Sequence, residues 1–315
     1  MGPFRTLMQM GATVVGTGTG RASRWTRVFD MVRDTPGELL FPLSQPQADM
    51  TEQQLTEAAG CDLTEDVPEL LKWITEEALK FANVTVGCYV YMDGEAHVRA
   101  ALAMDLVVTG LVAEGKTRGK NVSVAYLGSP ATCYPIPSEC RDAMEKAKDE
   151  VPFWQKLILA KPNMLDPEGD VCLANGLAVV QGPNYALAKT MQMWRAILLR
   201  EDKIVVSTPM APACRTASMT SSATMSAFLD GQAHFKPLVS FDSATASPLL
   251  AAMLLHDIFW PDSITHPSKT LPNPNSIFAL KGFHGGLWRC AWSPESIGGV
   301  MAVLGKVWKY HPEGL

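Results

Sequence analysis

None of the seven cysteines in this 315-residue chain sits in a Cys-x-x-Cys pair, and their spacing resembles neither a disulfide framework nor a zinc site. The six histidines (His97, His234, His256, His266, His284, His311) show no paired metal-ligand spacing, so no metal is expected. Basic residues are outnumbered, 27 Lys and Arg against 32 Asp and Glu, for a net charge of −5. No global positive field therefore argues for nucleic acid or an anionic membrane as partner. No apolar run reaches the roughly 20 residues that span a bilayer. The first dozen residues carry neither the apolar stretch nor the cleavage site of a secretory leader. The expectation is a soluble protein of the cytoplasm or another reducing intracellular compartment. Repeats and low-complexity tracts are also missing.

What is present is alternation. With 47% hydrophobic and 19% charged residues, the chain is long enough to bury a sizeable core. Short β-branched runs at Ala12–Gly16, Glu38–Leu43, Val84–Tyr91, Asn121–Leu127 and Lys203–Ser207 read as strands. Between them, Arg21–Arg33, Asp66–Phe81, Ala96–Ala113 and Tyr185–Arg200 have helical spacing. Strands alternating with helices imply βαβ units and a mostly parallel, doubly wound sheet of the Rossmann-like α/β class. Residues 1–260 are assigned to that domain. About 130–184 form an insertion with a helix near Ser138–Leu159, and 261–315 form an irregular extension packing on the domain or a partner.

The motif richest in chemistry is Tyr185-Ala-Leu-Ala-Lys189, which opens a helix after Gly182-Pro183-Asn184. Residues four apart share a helix face. A lysine so placed can lower the pKa of a tyrosine hydroxyl and bind a nucleotide ribose, leaving the tyrosine as general acid to a carbonyl. The plainer reading of the same spacing is a half-buried tyrosine with a surface lysine. Upstream, the strand Asn121–Leu127 ends in Gly128-Ser129, where a serine could hold the substrate oxygen. Downstream, Lys203–Ser207 leads to Pro212-Ala213-Cys-Arg-Thr216.

That order resembles the short-chain dehydrogenase/reductase superfamily, over roughly residues 10–260. The resemblance implies Ser129, Tyr185 and Lys189 as catalytic residues, with Lys189 and Thr216 also at the cofactor. Two positions depart from the pattern. Ala213 stands where the family has glycine, and Asp105, in Ala103-Met-Asp105-Leu-Val-Val-Thr-Gly110, where it has the asparagine of a proton relay to the lysine.

At the nucleotide end, Gly16-Thr17-Gly18-Thr19-Gly20 follows a strand and precedes a helix, a setting that binds phosphate. The spacing is GxGxG, whereas the family has GxxxGxG, and two registers are open. In the first, Ala12–Gly16 is the central strand and the glycines cradle a pyrophosphate. In the second, it is strand two, preceded by the end of a helix at Phe4–Met10. The first strand is then missing: either the sequence is truncated or something else completes the sheet. Both registers put Gly16–Arg24 near the cofactor. Arg21 and Arg24, with no acid nearby, suit the 2′-phosphate of NADP, with NAD as the alternative; a solvated helix start is an equal reading. Asp62 resembles an adenine contact of the family and reads equally well as a helix cap.

Stretches of residues 1–110 are similar to ketoacyl reductases. The segment from Gly110 to Glu150 resembles enoyl-thioester reductases, with Tyr126 or Tyr134 and Lys146 or Lys148 as rival catalytic residues. Both imply acyl-thioester substrates. The expected function is NAD(P)H-dependent reduction of a carbonyl, with enoyl reduction and a catalytically lapsed structural subunit as alternatives. Met191, Met193, Met210, Met219 and Met225 could line an apolar substrate mouth or be plain core. Trp288, Trp292 and Trp308 could meet a second subunit or cover the sheet. The family is commonly oligomeric, so a homo-oligomer or a subunit of a larger assembly is expected.

Overall fold

The computed structural model describes residues 2–129, 132–165, 172–176, 182–211, 213–279 and 285–310. The chain begins α1 (Phe4–Gln9), β1 (Thr13–Val15), α2 (Ala22–Val32), β2 (Glu38–Leu40), α3 (Glu52–Ala58), α4 (Val67–Ala78) and β3 (Asn83–Cys88). There follow α5 (Glu95–Thr117), β4 (Asn121–Tyr126), β5 (Cys133–Pro135), α6 (Ser138–Glu150), α7 (Phe153–Leu157) and β6 (Leu173–Asn175). Next come α8 (Gly182–Glu201), β7 (Val206–Ser207), β8 (Cys214–Arg215), α9 (Ala217–Ser221) and α10 (Ala223–Gly231). The chain closes with β9 (Phe241–Asp242), α11 (Ser243–Phe259), α12 (Ser276–Ala279) and α13 (Pro294–Tyr310).

The local chemistry explains several boundaries. Thr51 opens α3 with a capping box, its hydroxyl accepting from the Gln54 N–H while Gln54 Oε1 accepts from the Thr51 N–H at 2.8 Å. Pro68 sits in the first turn of α4, where its missing N–H costs nothing. The helix expected across 138–159 is split into α6 and α7, because Val151 before Pro152 is driven to extended backbone.

β3, β4 and β7 form a parallel three-stranded sheet in that order, with Val84 opposite Val122 and Val124 opposite Val206. β1 pairs in parallel with β2 alone. One helical layer holds α4, α5 and α8, with α4 touching β1 and α5 and α8 lying on β4. A second holds α1, against β1, and α11, against β7. This is the Rossmann-like α/β arrangement, interrupted between β1 and β3: no described strand joins them. Since a helix precedes β1 and β1 pairs only with β2, the structure has the second of the two registers. The glycines after β1 therefore do not follow a central strand.

The main core joins Val122, Val124 and Val206 of the sheet to Val108, Leu111 and Val112 of α5, Ala196 and Leu199 of α8, and Phe278 and Trp288. A second cluster lies under α10 and α13, around Phe228, Phe235, Ile297 and Met301. The C-terminal segment is accordingly not irregular throughout. Residues 294–310 are a helix pressed so closely on α10 that a Cβ at Gly305 would lie 1.8 Å from the Ala227 carbonyl oxygen. Its three glycines disguised it in the sequence. α5 is long and apolar enough to cross a membrane. In the fold it packs on α4, α8 and β4, with half of its most apolar window buried.

Candidate active site

The site is assembled where strands end. Ser129 follows β4, the β3–α5 turn supplies Tyr91, the first turn of α5 supplies His97, and the first two turns of α8 supply Tyr185 and Lys189. Ser129 and Tyr185 are hydrogen-bonded through their side chains. Lys189, one turn further along α8, is buried and its Nζ lies 5.7 Å from the centre of the Tyr185 ring. The three residues that the sequence separates by sixty positions are thus together.

Their electrostatics differ from expectation. Burial pushes the Tyr185 hydroxyl above its ordinary value, opposed by the Ser129 hydrogen bond. The tyrosine was expected to be tuned downward by the lysine, and in the protein alone it is not. Burial outweighs the hydrogen bond there, and Lys189 is itself desolvated and pushed down to about 8. Its ammonium is committed to the Leu127 carbonyl at 2.9 Å and Gln192 Oε1 at 3.3 Å. A buried cavity beside it is lined by Tyr126, Gln192, Met193, Thr208 and Phe278. Gln192 Nε2 and Thr208 Oγ1 have no partner among the described residues, and the cavity is too small and too apolar in its lining to hold a ligand.

Asp105 is not brought to Lys189. Both its carboxylate oxygens are held by Arg195 of α8, at 2.5 Å from Nε and 2.7 Å from Nη2. It ties α5 to α8, a structural clamp in place of the expected relay. His97, which the sequence offered only as a metal-less histidine, stacks on Tyr185 with ring centres 5.4 Å apart and planes 12° from parallel. Its Nδ1 accepts from the Met92 N–H at 3.3 Å, and burial pushes its pKa down to about 4. It is therefore neutral, with the proton on Nε2. Tyr91, half exposed, completes the aromatic group 5.3 Å from His97 and 6.1 Å from Tyr185.

The glycine segment lies between β1 and α2. Gly18 O accepts from the Cys61 N–H at 2.8 Å, and Thr19 Oγ1 accepts from Arg24 Nη1 at 2.8 Å. Gly60 (φ +108°) fits here because it has no side chain: a Cβ would stand 2.5 Å from Gly18 O and 2.7 Å from Trp25 Nε1. Gly16, Thr17 and Gly20 continue this turn, and Arg21 and Arg24 are exposed at the start of α2. Asp62 caps no helix, since Asp66 is the N-cap residue of α4; its Oδ1 closes a turn, accepting from the Thr64 N–H at 2.8 Å and the Thr64 hydroxyl at 2.7 Å, which holds the carboxyl below its usual range. Thr216 caps α9, accepting from the Met219 N–H.

Arg21 and Arg24 are exposed cations at the start of α2, and Lys189 is a buried cation beside Tyr185, so the residues that could hold a cofactor's anionic and hydroxyl groups are these. Gly16–Gly20 precede α2, but they follow β1, which pairs with β2 and not with the β3–β4–β7 sheet.

The rival residues do not converge. Tyr126 is buried beside Lys189, whereas Lys146 is exposed on α6 beside Glu150 at 3.7 Å. The side chains of Tyr134 and Trp308, and all of Pro212, His284 and His311, lie outside the described residues. Met210 is fully buried, and Met193 packs partly buried against the same core. Met219 packs on the second cluster, and Trp288 is buried in the main core. Trp292 donates to Gln155 Oε1 at 3.0 Å.

No family model matches the chain, and no curated protein matches it. Among solved structures it is similar to a GDP-6-OMe-4-keto-L-xylo-heptose reductase from C. jejuni, 11% identical, with a TM-score of 0.33. The match covers 71% of this chain and 54% of that one, so the chain spans about half the length of that reductase.

Proposed function

We propose that the protein is an oxidoreductase that reduces a carbonyl with a nicotinamide dinucleotide, NADP by preference and NAD as the alternative. One observation carries the reading: the Ser129–Tyr185 hydrogen bond with Lys189 one helical turn beneath it. Two hydroxyls facing one spot can hold a carbonyl oxygen, and the tyrosine can give it a proton. When bound, the nicotinamide supplies the hydride; the protein supplies placement and electrostatics. Ser129 orients the oxygen, Tyr185 donates the proton, and Lys189 holds the ribose and a positive charge behind the tyrosine. Neutral His97, stacked on the Tyr185 ring, braces it. A 3-oxoacyl thioester is the proposed substrate class, and the methionines near the site would suit its apolar chain.

The first test is titration of the protein with NADPH and with NADH, followed by nicotinamide fluorescence. Saturable binding weakened by Arg21→Ala or Arg24→Ala supports the reading. Hydroxylated product from a 3-oxoacyl thioester then separates it from enoyl reduction. The interruption between β1 and β3 favours a second reading, a lapsed subunit, and binding of neither nucleotide would establish that one instead.

We also propose a homo-oligomer. α5 and α8 lie side by side and expose Leu102, Leu106, Leu187, Trp194 and Leu198. These exposed apolar side chains, on two helices that pack together, are the kind of surface that a second copy can cover.

A further inference from the structure

One short segment is built inside out. Between α6 and the second core cluster, Phe153 is 76% exposed, Leu157 65% and Leu159 fully exposed, while Trp154 is partly so. The residue that this segment buries is a glutamine. Gln155 donates from Nε2 to the His234 carbonyl at 2.7 Å and accepts at Oε1 from Trp292 Nε1 at 3.0 Å. Ile158 and Ala160 pack inward on the second cluster. The segment ends at Lys161, whose N–H donates to Ser296 Oγ at 3.0 Å and whose carbonyl accepts from the Ser293 N–H at 2.9 Å. A polar anchor, two small inward contacts and a tied end fix the segment so that its large apolar side chains point outward.

The form of this surface selects its occupant. On α5 and α8 the exposed apolar residues are spread along two helices, whereas here three apolar side chains project from fewer than ten residues. Leu159 is as accessible as in an unfolded chain. Exposed Lys156 and Lys161 alternate with them and have no carboxylate partner among the described residues. Apolar projections that enter a disordered apolar phase, with ammonium groups beside them at the level of phosphates, match a bilayer surface. We propose that residues 152–161 are a membrane-docking tip. Phe153, Leu157 and Leu159 enter the acyl boundary of a phospholipid bilayer, Trp154 lies at the interface, and Lys156 and Lys161 meet anionic headgroups. This holds whether or not the protein reduces a carbonyl.

The test is flotation of the full chain with phosphatidylcholine–phosphatidylserine vesicles and with pure phosphatidylcholine, alongside brominated-lipid quenching of tryptophan. Wild type should float with the mixed vesicles. Each of Phe153→Ser, Leu157→Ser and Leu159→Ser should weaken binding by about tenfold, from the lost apolar transfer. Lys156→Gln and Lys161→Gln should each lose about fivefold, on the mixed vesicles only. Trp154→Phe should remove the lipid quenching. All six side chains are exposed or partly exposed, so the variants should fold, which their circular dichroism checks. Absence of wild-type flotation, or flotation unaffected by the serine variants, would overturn the proposal. So would a change of oligomeric state in those variants, which would make the tip an interface between copies.

Discussion

At the residue scale, Tyr185 and His97 form a unit that one substitution each can separate. Tyr185→Phe keeps the ring, its stack on His97 and the fold, but removes the proton donor. Turnover should fall roughly 10²–10⁴-fold with nucleotide affinity nearly unchanged, as measured by single-turnover kinetics beside a fluorescence titration. His97 gives a pH signature with a definite sign. Its folded pKa of about 4 lies below the ordinary value of about 6.5, so the unfolded chain binds the proton more readily. Stability is fully present above pH 6.5 and is lost as the pH falls toward 4, by roughly 2–3 kcal/mol from this group. His97→Phe keeps the stack and removes that increment. Urea melts at pH 7 and pH 4.5 should show a smaller drop in the variant, and an equal drop would refute the assignment. Tyr185 and Lys189 were legible in the sequence as a motif. His97 was not, because nothing local marks a histidine that the start of a helix will lay against a ring nearly ninety positions away.

At the scale of elements, the Asp105–Arg195 pair and the close approaches at glycine matter most. Asp105→Asn breaks a half-buried, two-pronged ion pair between α5 and α8. It should cost about 1 kcal/mol in a urea melt while leaving turnover within a few-fold of wild type. A collapse of turnover would restore the relay that the sequence suggested. Helical spacing does place Asp105 on α5, but which α8 residue it meets depends on how the two helices pack. Gly60→Ala places a Cβ against Gly18 O at a positive φ, so it should cost about 2 kcal/mol and displace the glycine turn. Calorimetry would show the lost stability, and weaker NADPH binding would locate the displacement at the Arg24–Thr19 corner. Strand and helix positions were largely readable from hydrophobic period. α13 was missed because its glycines look like loop punctuation, whereas Gly305 is there to let α10 approach.

For the whole molecule, the apolar surface on α5 and α8 and the interrupted sheet govern behaviour. Trp194→Glu with Leu106→Glu puts two charges on that surface and should convert an oligomer to monomer in light scattering, with circular dichroism unchanged. A wild-type protein that is already monomeric would sink the proposed association. The interruption between β1 and β3 leaves strand edges that a continuous doubly wound sheet would pair. Amide exchange should therefore be faster at Val15 and Thr85, whose N–H groups face the open edges, than at Val124, whose N–H donates to the Val205 carbonyl.

The sequence by itself determined the alternation of strands and helices, since period and turn residues are local properties of the chain. It also determined the Tyr185–Lys189 spacing, which the α-helix turns into proximity without outside help. Only the tertiary structure decided which partners these residues keep. Burial lowers Lys189 and raises Tyr185, Arg195 claims Asp105, and His97 arrives from another helix. Desolvation and pairing depend on what the rest of the fold places around a group, and that information is spread over residues far apart in sequence.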